Sequence, residues 1–197
     1  MTTDRPAADR QQWVTITDPQ VMRALAHPAR QAILEHLTST GTDVTATECA
    51  EVSGLSPSAT SYHLRELARF GLIKEAPGRG DGRERVWRAA GTGIRMAPGR
   101  DAEPEQRAAE RALIDVLLAR EHDRVASWFD REPSEPREWR DASTALDVIL
   151  LLTAAELATL NEAVYELLEP YKRRHRVADP PPGSRVVSVQ YRAMPID

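Results

Sequence analysis

The stretch SPSATSYHLRELARFGLI, Ser56 to Ile73, limits what this chain can fold into more than any other. Ser56 can cap a helix, Pro57 suits its first position, and Gly71 can close it. At 3.6 residues per turn, positions 64, 67 and 71 fall on one stripe. Positions 58, 62, 65 and 69 fall on another, with 61 beside them. One side is apolar and made for a core. The other displays Ser58, Ser61, Tyr62, Arg65 and Arg69. A short helix with that division needs a partner for each side.

The inner partner is legible just upstream. TATECAEVSG reads as a helix capped by Thr45 or Thr47 and stopped by Gly54. Two short helices joined through SGLS have the spacing of a helix-turn-helix, whose second helix enters the major groove of DNA. Hydroxyls of Ser56, Ser58 and Ser61 suit phosphate oxygens, and a helix N-terminus attracts the same anion. Arg65 is the candidate for a two-pronged grip on a guanine edge, worth roughly 1–3 kcal/mol in discrimination. Earlier still, TDPQVMRALAHPARQAILEHL holds two helix starts, at Asp18-Pro19 and at Pro28, and STGTDV reads as a loop. Downstream, Leu72–Ala76 and Glu84–Ala89 are extended runs about a Gly-rich tip, Pro77 to Gly82, which is a hairpin signal. Arg79, Arg83 and Arg85 at that tip fit phosphate or minor-groove contacts. Trp87 is expected to pack the hairpin onto the core, and His63 is read as a packing histidine rather than a base contact.

ALAHPARQAILEHL, TATECAEVSGLSPSATSYHLRELARFGLI and GRERVWR resemble the ArsR-type winged helix-turn-helix transcription regulators, over roughly Asp18 to Ala90. The resemblance implies a homodimeric repressor or activator on a palindromic operator, often released or retuned by a small-molecule effector. It also implies that Ser58, Ser61, Tyr62 and Arg65 face DNA, the same set that helical spacing gives. Thr60 departs from the family, which usually places an aliphatic residue there; the hydroxyl is expected to weaken packing slightly.

Net charge is −4, yet Ser56 to Ala90 holds seven basic residues against four acidic ones, so +3 sits there and −7 elsewhere. A local basic surface on an acidic body suits a polyanion held at one place. Many relatives of this type sense metals, but a thiolate sensor needs two or three cysteines and Cys49 is alone. The long C-terminal helix offers one histidine, within Glu121 to Asp123. No metal and no cofactor are expected. The absence of a Gly-rich phosphate loop, a nucleophile motif or a metal-ligand pair speaks against an enzyme. No apolar run nears the ~18 residues of a membrane span, and MTTDRPAADRQQ does not read as a secretory signal. A cytoplasmic location is the default.

GTGIRMAPGRDAEPEQ reads as a linker, giving a tail (1–17), a winged helix-turn-helix domain (18–91), a linker (92–103) and a C-terminal module (104–197). In that module a helix from about Pro104 to Arg131 carries Ala109, Ala112, Leu113, Val116, Leu117, Val125, Trp128 and Phe129 on one broad face, suited to pairing with a dimer mate. EPSEPREWRD breaks it. Ala145–Leu152 is a strand candidate, Thr153 and Glu156 form a capping box for a helix that Pro170 kinks or ends, and RVVSVQYRAM alternates as a half-buried strand. The expected fold is mainly α with β, a winged helix-turn-helix followed by a helix-strand-helix-strand module. Its strands can pair with a symmetry mate or cover an effector pocket lined by Trp128, Trp139, Val148, Leu150, Val189 and Tyr191. The basic run Lys172 to Arg176 reads as a solvated helix end or an extra phosphate contact. The expected function is a sequence-specific DNA-binding regulator; the alternative is a winged-helix module that binds protein instead.

Overall fold

The computed structural model describes residues 13–78, 84–96 and 103–196. It divides into two compact units, Met1–Asp123 and Arg124–Asp197.

The first unit begins with strand β1 (Trp13–Ile16). Asp18 caps α1 (Pro19–Leu25), its carboxylate accepting from the Gln20 N–H at 2.7 Å. The next cap is a histidine. His27 Nδ1 accepts from the Ala29 N–H at 3.2 Å and starts α2 (Pro28–Thr40), which ends at Gly41. A two-residue strand, β2 (Val44–Thr45), runs into α3 (Ala46–Ser53). The α3 cap is Thr45, in a reciprocal box: Glu48 N–H donates to Thr45 Oγ1 and Thr45 N–H to Glu48 Oε2, at 3.2 and 2.7 Å. Gly54 turns the chain at φ 67°, a left-handed conformation that favours glycine. Ser56 then caps α4 (Pro57–Arg69).

After α4 come β3 (Ile73–Ala76) and β4 (Val86–Ala89), an antiparallel pair with Ile73 opposite Ala89 and Ala76 opposite Val86. β2 pairs on the other edge of β4, so the wing is a three-stranded sheet in the order β2-β4-β3. β5 (Gly93–Met96) lies parallel to β1. Both strands fall in segments read from composition as tail and linker. α5 (Pro104–Arg131) follows as one 28-residue helix, as its periodicity predicts.

All these elements share one core. Met22, Ile33, Leu37, Leu64, Leu67, Leu72 and Ile73 are at most 2% exposed. At about 1.5–3 kcal/mol for each such side chain, their burial is the main force closing the unit. Ala109 and Leu113 bring the first turns of α5 into the same core. Trp87 is buried there too, packing the wing as expected.

The second unit is organised differently. After α5 come a 3₁₀ turn (Glu132–Ser134) and a short helix, α6 (Arg137–Ala142), within the segment expected only to break structure. α7 (Ala154–Leu168) starts at the Thr153–Glu156 capping box and gives way at Glu169–Tyr171 to a 3₁₀ turn through Pro170. α8 (Arg173–Arg176) is one turn long.

Of the helix-strand-helix-strand expectation for this module the helices are present and the strands are not clearly shown, so the module is mostly helical. Residues 145–152 and 186–193 form no β-ladder among the described residues. A strand is a paired element, and these segments find no partner strand among the described residues. No described residue from Arg124 onward is fully buried.

Candidate nucleic-acid interface

α4 is held from behind by its inner stripe. Thr60, His63, Leu64 and Leu67 are buried. Thr60 is fully buried, yet its hydroxyl is satisfied: it bonds to the Ser56 carbonyl at 3.0 Å and to Ser53 Oγ at 3.3 Å. The hydroxyl therefore links α3 to α4, so the departure from an aliphatic residue gives the helix pair a polar tie. His63 lies 8% exposed with its ring centroid 4.6 Å from that of His27. Burial, then the neighbouring charge of Arg30, lowers the pKa of His27; burial, His27 and Arg30 lower that of His63. Both rings are kept neutral, and His27 keeps the lone pair that caps α2.

The outer stripe is open. Ser58, Tyr62, Arg65 and Arg69 are exposed and Ser61 is half-buried. Ser56 spends its acceptor on the Ala59 N–H at 3.3 Å, which leaves its hydroxyl proton for an anion. Arg65 Nε donates to the Ser61 carbonyl at 3.2 Å, which ties the guanidinium to its own helix by that one nitrogen. Its Nη groups have no partner among the described residues. Arg69 is more occupied: Nη1 reaches Glu66 at 3.4 Å and the guanidinium lies 4.7 Å over the Phe70 ring. Tyr62 stands edge-on to His63 and is 54% exposed.

Between α4 and the wing runs an open groove of about 630 Å³, lined by Arg65, Gly71, Lys74, Glu75, Arg85 and Trp87 among others. Three cations face one carboxylate across it, and Glu75 and Arg85 approach to 3.5 Å. Lys74 was not among the cations singled out from the sequence, which lay on α4 (Arg65, Arg69) and at the hairpin tip (Arg79, Arg83, Arg85). The signal was there: Ile73 points inward, so Lys74 must point outward by strand alternation. Arg88 is a structural cation, its guanidinium paired two-pronged with Asp43 at 2.9 and 2.5 Å. Arg79 and Arg83 lie outside the described residues.

Cys49 is fully buried and its thiol is pushed up to about 11 by burial and by Glu48, so it behaves as an inert core residue. Among the described residues, no three His, Cys, Asp or Glu side chains group to hold a metal ion, and no helix is long and apolar enough to cross a membrane. In the second unit, Glu169 gathers Lys172, Arg174 at 2.6 Å and His175 at 2.9 Å. Much of the basic run 172–176 is thereby held by its own chain. Of the six residues read as an effector pocket, Trp139 carries Arg185 over its ring at 4.9 Å and Trp128 carries Arg131 at 5.3 Å. Val148, Leu150, Val189 and Tyr191 stand exposed.

Residues 25–76 match the family model described as a helix-turn-helix domain. Comparison with the curated proteins found no match. Among solved structures, a possible transcriptional regulator for arsenical resistance is 28% identical, the match covering 57% of this chain and 96% of that one, with a TM-score of 0.31. A homodimeric winged helix-turn-helix DNA-binding domain from Mycobacterium bovis, from a possible ArsR-family regulator, is 22% identical over 53% of this chain and 82% of that one, TM-score 0.32. The PcaV transcriptional regulator of Streptomyces coelicolor, solved with its natural ligand, is 18% identical over 74% and 75%, TM-score 0.31. With α3, the Gly54 turn and α4 in place, residues 25–76 form a helix-turn-helix domain.

Proposed function

We propose that the chain is a sequence-specific DNA-binding transcription regulator that works as a homodimer on an inverted-repeat operator. One observation carries the reading: α4 buries one stripe completely while its opposite stripe of hydroxyls and Arg65 opens onto the cationic groove beside the wing. Arg65 reads a base edge, while Ser58, Ser61, Lys74 and Arg85 take phosphates. Two such helices in a dimer would sit about 34–36 Å apart, one turn of duplex.

The test is selection of binding sites from random duplex DNA, followed by titration of the enriched sequences at two salt concentrations. An enriched inverted repeat, bound far more weakly at the higher salt, is the expected result. Folded protein that enriches no sequence would overturn the reading. Salt-insensitive capture of protein partners would favour the interaction module instead.

A further inference from the structure

We infer that residues 145–152 and 186–193 become β-strands only against each other across two copies of this chain, so that the second unit is half of an interlocked dimer. The inference rests on the homodimer reading and specifies how that dimer is built.

The second unit cannot be complete as one chain. Leu146, Ile149 and Leu151 are 80, 83 and 100% exposed, and Val186, Val187 and Val189 are 63–76% exposed. Both segments are rich in strand-forming residues, yet neither forms a ladder within the chain. Among the described residues, no backbone–backbone hydrogen bond involves residues 144–152. The later segment is fixed instead by side chains: Tyr191 Oη donates to Asn161 Oδ1 at 3.0 Å, Arg124 reaches Ser188 Oγ at 3.5 Å, and Arg185 grips Glu135 with two bonds at 2.7 and 3.1 Å. These contacts present an extended segment with its edges open.

The two segments complement each other in one antiparallel register. Opposing Leu150 to Val189 of the second copy also opposes Val148 to Tyr191 and Leu152 to Val187, all on one face. On the other face the same register sets Asp147, the only charge of its segment, against Arg192. Shifting by one residue would still oppose apolar residues, Ile149 to Val189 and Leu151 to Val187, but would part Asp147 from Arg192, so the charge pair selects the register. Because each copy holds both halves, two copies satisfy each other and the symmetry closes.

Area argues the same way. The exposed apolar side chains of the two segments amount to on the order of 1,000 Å² from each copy. That is the scale at which permanent dimers begin, about 2,000 Å² in total.

The experiment uses the full chain. Amide exchange is followed in the dimer, and Asp147→Arg protein is mixed with Arg192→Asp protein. Exchange should be slowed about 100-fold or more in both segments relative to free peptide. Each variant alone sets like charges opposite, whereas the mixed dimer restores both pairs, so heterodimers should rise from the statistical half to nearly all of the dimer. Leu150→Lys, at an exposed site of the single chain, should give a folded monomer. Statistical mixing, protection in a monomer, or amides exchanging at peptide rates would each overturn the inference. Inverted-repeat selection with unprotected segments would leave the regulator reading standing and remove this one. A protected, mixing-selective dimer that enriches no DNA would do the reverse.

Discussion

The two units are built from similar ingredients with opposite results. In the first, the leucines of α4 sit at 0% exposure behind a polar face. In the second, α7 has no buried residue and Leu151 is fully exposed. Leucine content does not separate them; closure does. The first unit has helices on one side of its leucines and a sheet on the other, so water is excluded within one chain. The second has helices and two apolar segments outside any sheet, and none of its described residues is fully buried. The lesson is that apolar residues make a core only where the topology supplies a second layer.

The largest effect should come from breaking that closure. Leu67→Ala is expected to destabilise the first unit by about 2–5 kcal/mol, because it leaves a cavity in a packed core. Urea unfolding should report the same loss at every protein concentration. Leu150→Ala should instead cost little when the protein is dilute and more when it is concentrated. Equal, concentration-independent losses for both would erase the contrast between the units.

Next in size is the effect on DNA. Arg65→Ala should relax preference at one base per half-site, worth roughly 1–3 kcal/mol against the wrong base. Arg85→Ala should weaken all sequences alike and flatten the salt slope by about one. Arg174→Ala, in the second unit and already paired with Glu169, should change neither. Loss of binding in Arg174→Ala at constant fold would move part of the DNA surface out of the winged helix.

Most of the first unit was legible because its signals are local. Asp18, Thr45 and Ser56 cap helices within three residues of themselves, and Gly54 and Gly71 stop them by their own backbone preference. The α4 stripe, and through it the candidate DNA face, needs only helical spacing. β1, β5 and β2 were missed because a four-residue strand such as Trp13–Ile16 owes its existence to a partner about 80 positions away. α6 was hidden among prolines and charges. For 145–152 and 186–193 the pattern showed apolar, strand-like segments, but no strand forms there among the described residues, because pairing is not a property of a segment. The effector-pocket reading shares that weakness: it grouped Val148, Leu150, Val189 and Tyr191 by polarity, and polarity does not say which chain lies opposite.

Acid should also separate the units. His27 and His63 have folded pKa values lowered from 6.5, so the unfolded chain binds more protons just below that value. Their contribution is fully present above about pH 6.5 and is lost as pH falls toward the lowered values. Protonating His27 also removes the acceptor that caps α2. Glu169 behaves otherwise: burial would raise it, but hydrogen bonds from Lys172, His175 and Arg174 outweigh burial and bring it to about 2. Its contribution is present above 4.5 and lost only as pH falls through about 2. From pH 7 to 5 the urea midpoint of the first unit should drop, and His27→Asn with His63→Gln should flatten that drop. Contacts around Glu169, followed by its side-chain carboxyl resonance, should hold through the same range.

The smallest effect tests the least covered corner of the closed unit. β1 and β5 are neighbours, with Trp13 opposite Gly93 and the indole lying across the glycine. A Cβ at Gly93 would meet Trp13 Cζ3 at 2.7 Å, closer than real contacts allow. The ring, however, is 37% exposed and can swing toward water without disturbing a core residue. Gly93→Ala should therefore cost under about 1 kcal/mol, the usual range for surface changes that create no cavity and orphan no polar group. The indole resonance of Trp13 should shift while that of Trp87, buried under the wing, stays in place. A loss as large as that of Leu67→Ala would mean that the β1–β5 ribbon closes the first unit as firmly as α4 does, and that the open edge of this chain lies in the second unit alone.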